Sequence, residues 1–144
     1  MRGAVLKAVQ VRGSTTGCTI GSMPGIAKLR AVVLDCPEPR ELAEFYRELV
    51  GGEITHADAG WVSLRDGDTV MLSFQLAMDY QPPTWPEPDR PQQFHLDVTV
   101  DESQLEAAEQ KVFDLGARKH ELQPGDNWRV YVDPVGHLFC FCWD

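Results

Sequence analysis

The chain contains 144 residues, of which 43% are hydrophobic and 24% charged, a balance typical of one globular domain with its own core. Its formal net charge of -9 makes nucleic acid and anionic membrane surfaces unfavourable partners. No apolar run approaches the roughly 20 residues that cross a bilayer, so no membrane partner is expected. The four cysteines form no CxxC pair, which predicts reduced thiols in a cytoplasmic protein.

Residues 1–27 differ in composition from the rest of the chain, because all 22 acidic residues follow residue 34. The segment has no periodic apolar pattern, which predicts a loosely structured extension ahead of a domain over residues 28–144. A targeting peptide is the alternative, since the segment is basic and contains serine and threonine. It has no continuous apolar stretch of the secretory type, and Met23 is a second possible start.

The first module, residues 28–78, has the pattern of a strand, a helix and three strands. A β-branched run at 28–34 predicts the first strand. The segment 37–52 begins with proline, ends with glycine and places apolar residues on one face, which predicts a helix. Three short strands are predicted to follow, at 53–57, 60–66 and 69–77.

Residues 79–92 are predicted to be a linker, because five of the ten residues from 82 to 91 are proline. The second module, residues 93–144, then repeats the order of the first, with a strand, a helix and three strands. Trp61 precedes Asp66 by five residues, and Trp128 precedes Asp133 by the same distance. The simplest interpretation is an internal duplication of a βαβββ unit.

Alternation along the strands predicts which side chains face a ligand. In the strand at 94–100, the even-numbered residues form an apolar face for burial under the helices, and His95 and Asp97 lie on the other face. The last strand is expected to bury Phe139 and Phe141 in the same way. By analogy with His95, the first strand is expected to turn Arg30, Val32 and Leu34 toward the ligand. The predicted lining is therefore Arg30, Val32, Ser73, Gln75, His95, Asp97, Leu138 and Cys140.

The segments LDCPEPRELAEFYRELVGG, FHLDVTVDE, LGAR and DPVGHLFCF resemble the vicinal oxygen chelate superfamily, and within it the small glyoxalase-like domains. The superfamily includes glyoxalase I, extradiol dioxygenases and bleomycin-resistance proteins. The resemblance implies an α+β fold in which two βαβββ modules form a cupped mixed sheet with the helices on its outer face. It also implies a small organic ligand inside the cup and a homodimer as the expected assembly.

The resemblance further implies four strand positions for metal ligands, which fall on Arg30, Ser73, His95 and Cys140. Only His95 is a usual ligand, because a guanidinium stays protonated and a serine is a poor substitute for a carboxylate. Cys140 and His95 could still hold a borderline ion such as zinc. The sequence therefore favours no cofactor, with a divalent metal as an alternative and His95 as its weak candidate ligand.

Each predicted site residue has two interpretations. His95 is a candidate for proton transfer and Arg30 for holding an anionic group of the ligand, while an ion pair with Asp97 is the alternative for Arg30. Cys140 is a nucleophile or a small buried apolar residue. Trp85, in the linker, could act as a lid. The predicted site contains His95 and Arg30 as catalytic residues, and Ser73, Gln75, Trp85, Asp97 and Cys140 as ligand-binding residues.

Three functions are consistent with these residues. The first is a glyoxalase-like protein that binds a small molecule, and that acts as a lyase or isomerase by proton transfer without a tightly bound metal. The second is a non-catalytic protein that sequesters a drug or metabolite. The third is a metal-dependent lyase or dioxygenase.

Overall fold

The computed structural model describes residues 25–27 and 29–144. The N-terminal extension predicted from the sequence lies, except for its last three residues, outside the described residues. No helix in the described part of the chain is long and apolar enough to cross a bilayer.

The described residues form two modules of the predicted βαβββ order. The first contains β1 Val32–Cys36, α1 Pro39–Val50, β2 Glu53–Ala57, β3 Trp61–Asp66 and β4 Thr69–Leu76. The second contains β5 Leu96–Thr99, a 3-10 turn Glu102–Gln104, α2 Leu105–Asp114, β6 Arg118–Lys119, β7 Trp128–Val132 and β8 Leu138–Cys142. The two tryptophans identified as repeat landmarks each begin the same strand of their module.

Each module contains one four-stranded mixed sheet, and the two sheets have the same topology. Their strand orders are β1-β4-β3-β2 and β5-β8-β7-β6. The first strand of each module pairs in parallel with the last, and the other pairs are antiparallel. The predicted α+β fold with an internal duplication is therefore confirmed, and neither sheet closes into a barrel.

Helix α1 forms because its sequence contains a helix start, an apolar face and a helix stop. Pro39 occupies the first turn, where a missing N–H costs nothing. Gly51 ends the helix with a positive φ of 80°, and its N–H bonds to the Arg47 carbonyl. The apolar face buries Leu42, Ala43, Phe45 and Tyr46 against the first sheet.

One hydrophobic core extends through both modules on the helix side of the sheets. The rings of Phe45 in α1 and Phe139 in β8 pack edge to face, with centroids 5.9 Å apart. Tyr131 of β7 stacks on Phe139 at 5.3 Å. The core contains Leu34, Cys36, Leu42, Ala43, Phe45, Tyr46, Val62, Leu64, Leu72, Phe74, Leu105, Val112, Ala117, Tyr131, Phe139 and Phe141.

The turn between β7 and β8 is organised by Asp133, which is 3% exposed. Its Oδ1 accepts hydrogen bonds from the backbone N–H groups of Val135, Gly136 and His137 at 2.8–3.0 Å. Its Oδ2 accepts from the Tyr46 hydroxyl at 3.0 Å, which links the turn to helix α1 of the other module. Burial raises the pKa of the Asp133 carboxyl despite these bonds. The turn therefore connects the two modules through a buried carboxylate.

The predicted core faces are confirmed for β8, confirmed in part for β4 and β5, and wrong for β1. Leu72 and Phe74 of β4, Phe139 and Phe141 of β8, and Leu96 and Val98 of β5 all pack into or against the core. In β1, however, Leu34 is a core residue and Val32 packs against the core, so these two do not face the ligand side. The ligand side of β1 carries Val33 and Asp35 instead.

A charged network on α2 and β7 supports the outer face of the second sheet. The Glu109 carboxylate accepts from Lys119 Nζ at 2.8 Å, from Arg129 Nη1 at 3.0 Å and from the Tyr131 hydroxyl at 2.7 Å. Burial alone would raise the pKa of Glu109, but the hydrogen bonds from Lys119, Tyr131 and Arg129 outweigh it and hold the pKa below its usual value. The ionised form of Glu109 is thus the one that the fold stabilises.

We expect Glu109→Gln to lower the free energy of unfolding by about 1–2 kcal/mol at neutral pH, because it weakens three charge-assisted bonds. A carboxyl with a lowered folded pKa stabilises the fold above its unfolded pKa and loses this contribution as the pH falls through the folded value. The difference between the wild type and Glu109→Gln should therefore shrink below about pH 4.5. Urea denaturation at several pH values measures this, and Glu106→Gln, in the exposed first turn of α2, is the control.

Candidate functional site

Three polar side chains predicted for the site meet on the second sheet. His95 directly precedes β5, Asp97 lies within it, and Asp97 is the register partner of Cys140 in β8. The His95 Nε2 and Asp97 Oδ1 atoms are 3.3 Å apart. One potential ligand atom from each of His95, Asp97 and Cys140 lies within 4.8 Å of the others. We call these residues the His95 cluster.

The three members of the His95 cluster differ in their access to solvent. The His95 and Asp97 side chains are 41% and 62% exposed, whereas Cys140 is 3% exposed. Burial, followed by the neighbouring Asp97 carboxylate, raises the pKa of the Cys140 thiol to about 12. Cys140 is therefore a protonated thiol at neutral pH, which agrees with the apolar interpretation and not with an activated nucleophile.

An apolar surface continues from the His95 cluster across the same face of the second sheet. Its four buried residues are Val130, Val132, Leu138 and Cys140. The linker covers it, because Trp85 packs on these residues together with Trp128 and Cys142. Trp85, the lid candidate of the sequence analysis, is therefore in contact with the second sheet. A cavity of about 280 Å³ lies between the linker and this surface.

His120 holds the linker in this position. Its Nε2 lies 3.1 Å from the Trp85 carbonyl, and its Nδ1 accepts from the Leu122 N–H at 3.0 Å. A carbonyl can only accept, so Nε2 carries the hydrogen and the ring is in its neutral form in this arrangement. The rings of His120 and Trp85 also pack edge to face at 4.8 Å. Sequence reasoning missed His120, since its partner is 35 residues away.

A cavity of about 690 Å³ lies at the junction of the two modules and the linker. Its volume is within the range of small-molecule sites in proteins. Of the residues predicted to face the ligand, Gln75 and Leu138 line it, as does Leu34, whose side chain also packs in the core; the His95 cluster does not. We call it the junction cavity. Its lining is Val33, Leu34, Asp35, Gln75, Ala77, Asp79, Tyr80, Gln81, Pro83, Arg90, Pro91, Gln92, Gln93, Phe94, His137 and Leu138.

Three predicted residues occupy positions that the sequence did not anticipate. Arg30 precedes β1, is exposed and lines neither cavity. Ser73 is 2% exposed, and its hydroxyl lies 3.3 Å from that of Ser63, which accepts from Trp61 Nε1. Phe94, expected in the core, is 51% exposed and lines the junction cavity because β5 begins only at Leu96.

The His95 cluster provides a nitrogen, an oxygen and a sulfur donor, and three protein ligands are the usual number at a catalytic zinc ion. The chemistry of the donors fits zinc, although the Cys140 thiol would have to release its proton on binding. The sequence interpretation named Asp97 as a ligand-binding residue but did not consider it as a metal donor. The signal was present, since strand alternation already placed Asp97 on the face of His95.

Comparison with known proteins identifies the family. Residues 31–142 match the family model described as a glyoxalase-like domain. A possible glyoxalase from Bacillus cereus is similar in structure, with a TM-score of 0.60, 15% identity, and coverage of 80% of this chain and 97% of that one. The fosfomycin resistance protein FosX from Listeria monocytogenes has a TM-score of 0.63 and 12% identity, over 83% of this chain and 95% of that one.

A glyoxalase/bleomycin resistance protein/dioxygenase family enzyme from Burkholderia phytofirmans PsJN is also similar, with a TM-score of 0.56 and 15% identity over 81% of this chain and 98% of that one. No functionally curated protein matches the chain. At these identities the solved structures establish the fold alone. The family model covers most of the chain, and the chain therefore belongs to the glyoxalase-like domain family.

Proposed function

We propose that the protein binds a small organic molecule on the face of its second sheet that carries the His95 cluster and acts on it by proton transfer, as a lyase or isomerase without a tightly bound metal. The observation that carries the proposal is the pairing of His95 Nε2 with Asp97 Oδ1 at 3.3 Å beside the apolar surface. An imidazole exchanges protons near neutral pH, and a carboxylate at this distance orients it. The apolar surface would bind the body of the ligand.

In this proposal His95 moves the proton, and Asp97 positions the imidazole. Gln75 and Trp85 remain proposed ligand contacts, since each lines a cavity next to Leu138. Arg30 and Ser73 stay sequence predictions. The proposal assigns them no step, because Arg30 is exposed ahead of β1 and Ser73 is buried against Ser63.

His95→Gln should lower the rate of such a reaction by about 10²–10⁴-fold, the usual contribution of a general acid or base. A suitable substrate is the hemithioacetal of glutathione and methylglyoxal, because its isomerisation moves one proton from carbon to the adjacent carbonyl carbon and the hydroxyl proton to the other oxygen. The matched control is His56→Gln, since His56 also pairs with an aspartate two residues on, at 3.1 Å, and both side chains are exposed. Turnover that His95→Gln leaves unchanged would contradict the proposal.

The second candidate is sequestration, which the extended apolar surface under Trp85 favours. Two structural neighbours are named fosfomycin resistance proteins, and another is named a glyoxalase/bleomycin resistance protein. Bacterial survival on bleomycin and on fosfomycin, with and without expression of this chain, tests sequestration. Protection that persists in His95→Gln, with the drug recovered unchanged, supports sequestration and opposes catalysis.

The third candidate is a metal-dependent lyase or dioxygenase, and the three-donor geometry of the His95 cluster favours it. Bound there, a divalent ion would act as a Lewis acid on an oxygen of the ligand. Metal analysis of the purified protein and a zinc titration against a competing chelator test this. One equivalent of zinc lost in both His95→Gln and Cys140→Ser, and retained in His56→Gln, would replace the metal-free proposal.

We also propose that the protein acts as a homodimer. His95 and Asp97 are more exposed than is usual where proton transfer must exclude water, and a second copy across the face that carries the His95 cluster would shield them. Light scattering after size-exclusion chromatography measures the mass. A monomer at all concentrations tested would refute the dimer while leaving the role of His95 open to its own test.

A further inference from the structure

The junction cavity has features of a ligand site that the proposed chemistry does not use. It is lined by the ends of β1 and β4, by the linker and by the approach to β5, and it includes no member of the His95 cluster. The cavity shares Gln75 and Leu138 with the proposed function but not the His95 cluster, so its ligand preference is tested separately from proton transfer.

Two polar atoms in the lining residues are buried without a hydrogen-bond partner among the described residues. They are the Tyr80 hydroxyl and the Gln92 Oε1 atom. A buried polar group without a partner costs free energy, so most such groups in proteins are satisfied by protein, water or a ligand. Gln92 Oε1 is an acceptor only, and its missing partner must be a donor.

The charges around the cavity favour a positively charged ligand. Asp35 and Asp79 both line it, and within the described residues neither forms an ion pair. The one cationic residue with a fixed charge in the lining is Arg90, whose Nε donates to the Pro82 carbonyl at 2.8 Å and holds the linker. The formal net charge of -9 on the whole chain also favours a positively charged ligand.

The walls also offer apolar and aromatic contact. Phe94 is 51% exposed and Val33 is 38% exposed, although both are apolar. An aromatic face attracts a cation, and it also stacks on a planar ring. His137 does not compete for the ligand through its Nε2, because this atom lies 2.8 Å from the Asp35 carbonyl and must donate to it.

We infer that the junction cavity is a second binding site, selective for a small organic cation that joins a hydrogen-bond-donating group such as an amidinium or ammonium to a compact apolar or aromatic body. The donating group binds Gln92 Oε1 and lies near the carboxylates of Asp35 and Asp79. The body packs on Val33 and Phe94. An anion of the same shape is disfavoured by the same two carboxylates.

Three probes of nearly equal shape test the charge preference: benzamidine, benzamide and benzoate. Binding of each to the full ¹⁵N-labelled chain is measured by the shifts of backbone amide resonances. We expect benzamidine to bind at least about fivefold more tightly than benzamide, which is the effect of one screened charge contact, and benzoate to bind most weakly. The shifted amides should be those of the cavity lining.

Asp35→Asn combined with Asp79→Asn should remove the preference for benzamidine over benzamide, and Gln92→Leu should weaken both probes while the fold is retained. The matched control is Asp66→Asn with Asp68→Asn, which changes the net charge equally in the exposed β3–β4 turn. Benzoate binding as tightly as benzamidine would overturn the inference. So would the absence of benzamidine binding at about 10 mM, or a preference that survives loss of both carboxylates.

Discussion

Asp133→Ala should lower the free energy of unfolding by about 3–5 kcal/mol, the range found when a buried charged acceptor with several partners is lost. The substitution leaves the buried Tyr46 hydroxyl and three partly buried backbone N–H groups without their acceptor. Because the β7–β8 turn and helix α1 belong to different modules, the loss should affect the whole domain. Urea denaturation followed by circular dichroism measures the change.

Two further variants show whether the effect comes from these bonds. Tyr46→Phe removes one donor and should cost only about 1 kcal/mol. Asp133→Asn retains an acceptor oxygen, so its loss of unfolding free energy should lie between those of Asp133→Ala and Tyr46→Phe. A loss in Asp133→Ala no larger than that in Tyr46→Phe would show that the backbone bonds of the turn contribute little.

The raised pKa of Asp133 also predicts the sign of a pH effect. A carboxyl whose pKa is raised on folding binds its proton more tightly in the native state. Such a carboxyl contributes its full stabilisation when the pH is below its pKa in the unfolded state. This stabilisation is lost as the pH rises through its pKa in the folded state. The stability of the wild type relative to Asp133→Asn should therefore decrease as the pH rises from about 4 toward neutrality.

Cys140 should react with iodoacetamide about a thousandfold more slowly than an unperturbed thiol at neutral pH, since its pKa is raised from 9.0 to about 12 and only the thiolate reacts. Its burial at 3% exposure slows access further. Site-resolved mass spectrometry after timed labelling separates Cys140 from the other cysteines. Labelling in urea gives the reference rate for each of them.

The Asp97 carboxylate contributes to this suppression, after burial, by opposing a second negative charge nearby. Asp97→Asn should therefore accelerate the labelling of Cys140, while Asp101→Asn, also an exposed aspartate on the second module, should leave the rate unchanged. Native labelling of Cys140 as fast as in urea would reverse the conclusion and restore the thiol as a candidate nucleophile.

The strands that were predicted correctly are those whose sequence alternates. In β5, the polar residue Asp97 separates Leu96 from Val98, so the sequence shows unambiguously which alternate residues are buried. The face prediction for the first strand was wrong because residues 31–34 are all apolar. Their sequence therefore does not show which alternate residues are buried. Asp35 between Leu34 and Cys36 would have given the correct phase, had the strand been extended to Cys36, where it ends.

For a similar reason, the sequence predicted which residues of the candidate site come together. His95, Asp97 and Cys140 come together because alternation and strand pairing alone determine their positions. The junction cavity depends on how the linker folds back over the sheets, which no periodic pattern encodes. Proline content predicted that residues 82–91 are neither helix nor central strand, but not that Trp85 and Arg90 are held by His120 and Pro82.

The single core that joins the modules has a consequence for dividing the chain. The linker is exposed around Glu87 and Asp89, so a cut there would break no strand. Each fragment would nevertheless leave an apolar face uncovered, since Phe45 and Tyr46 pack against residues of the other half. The two fragments would be unfolded when separate and would fold on mixing, as complementary halves of a reassembling protein.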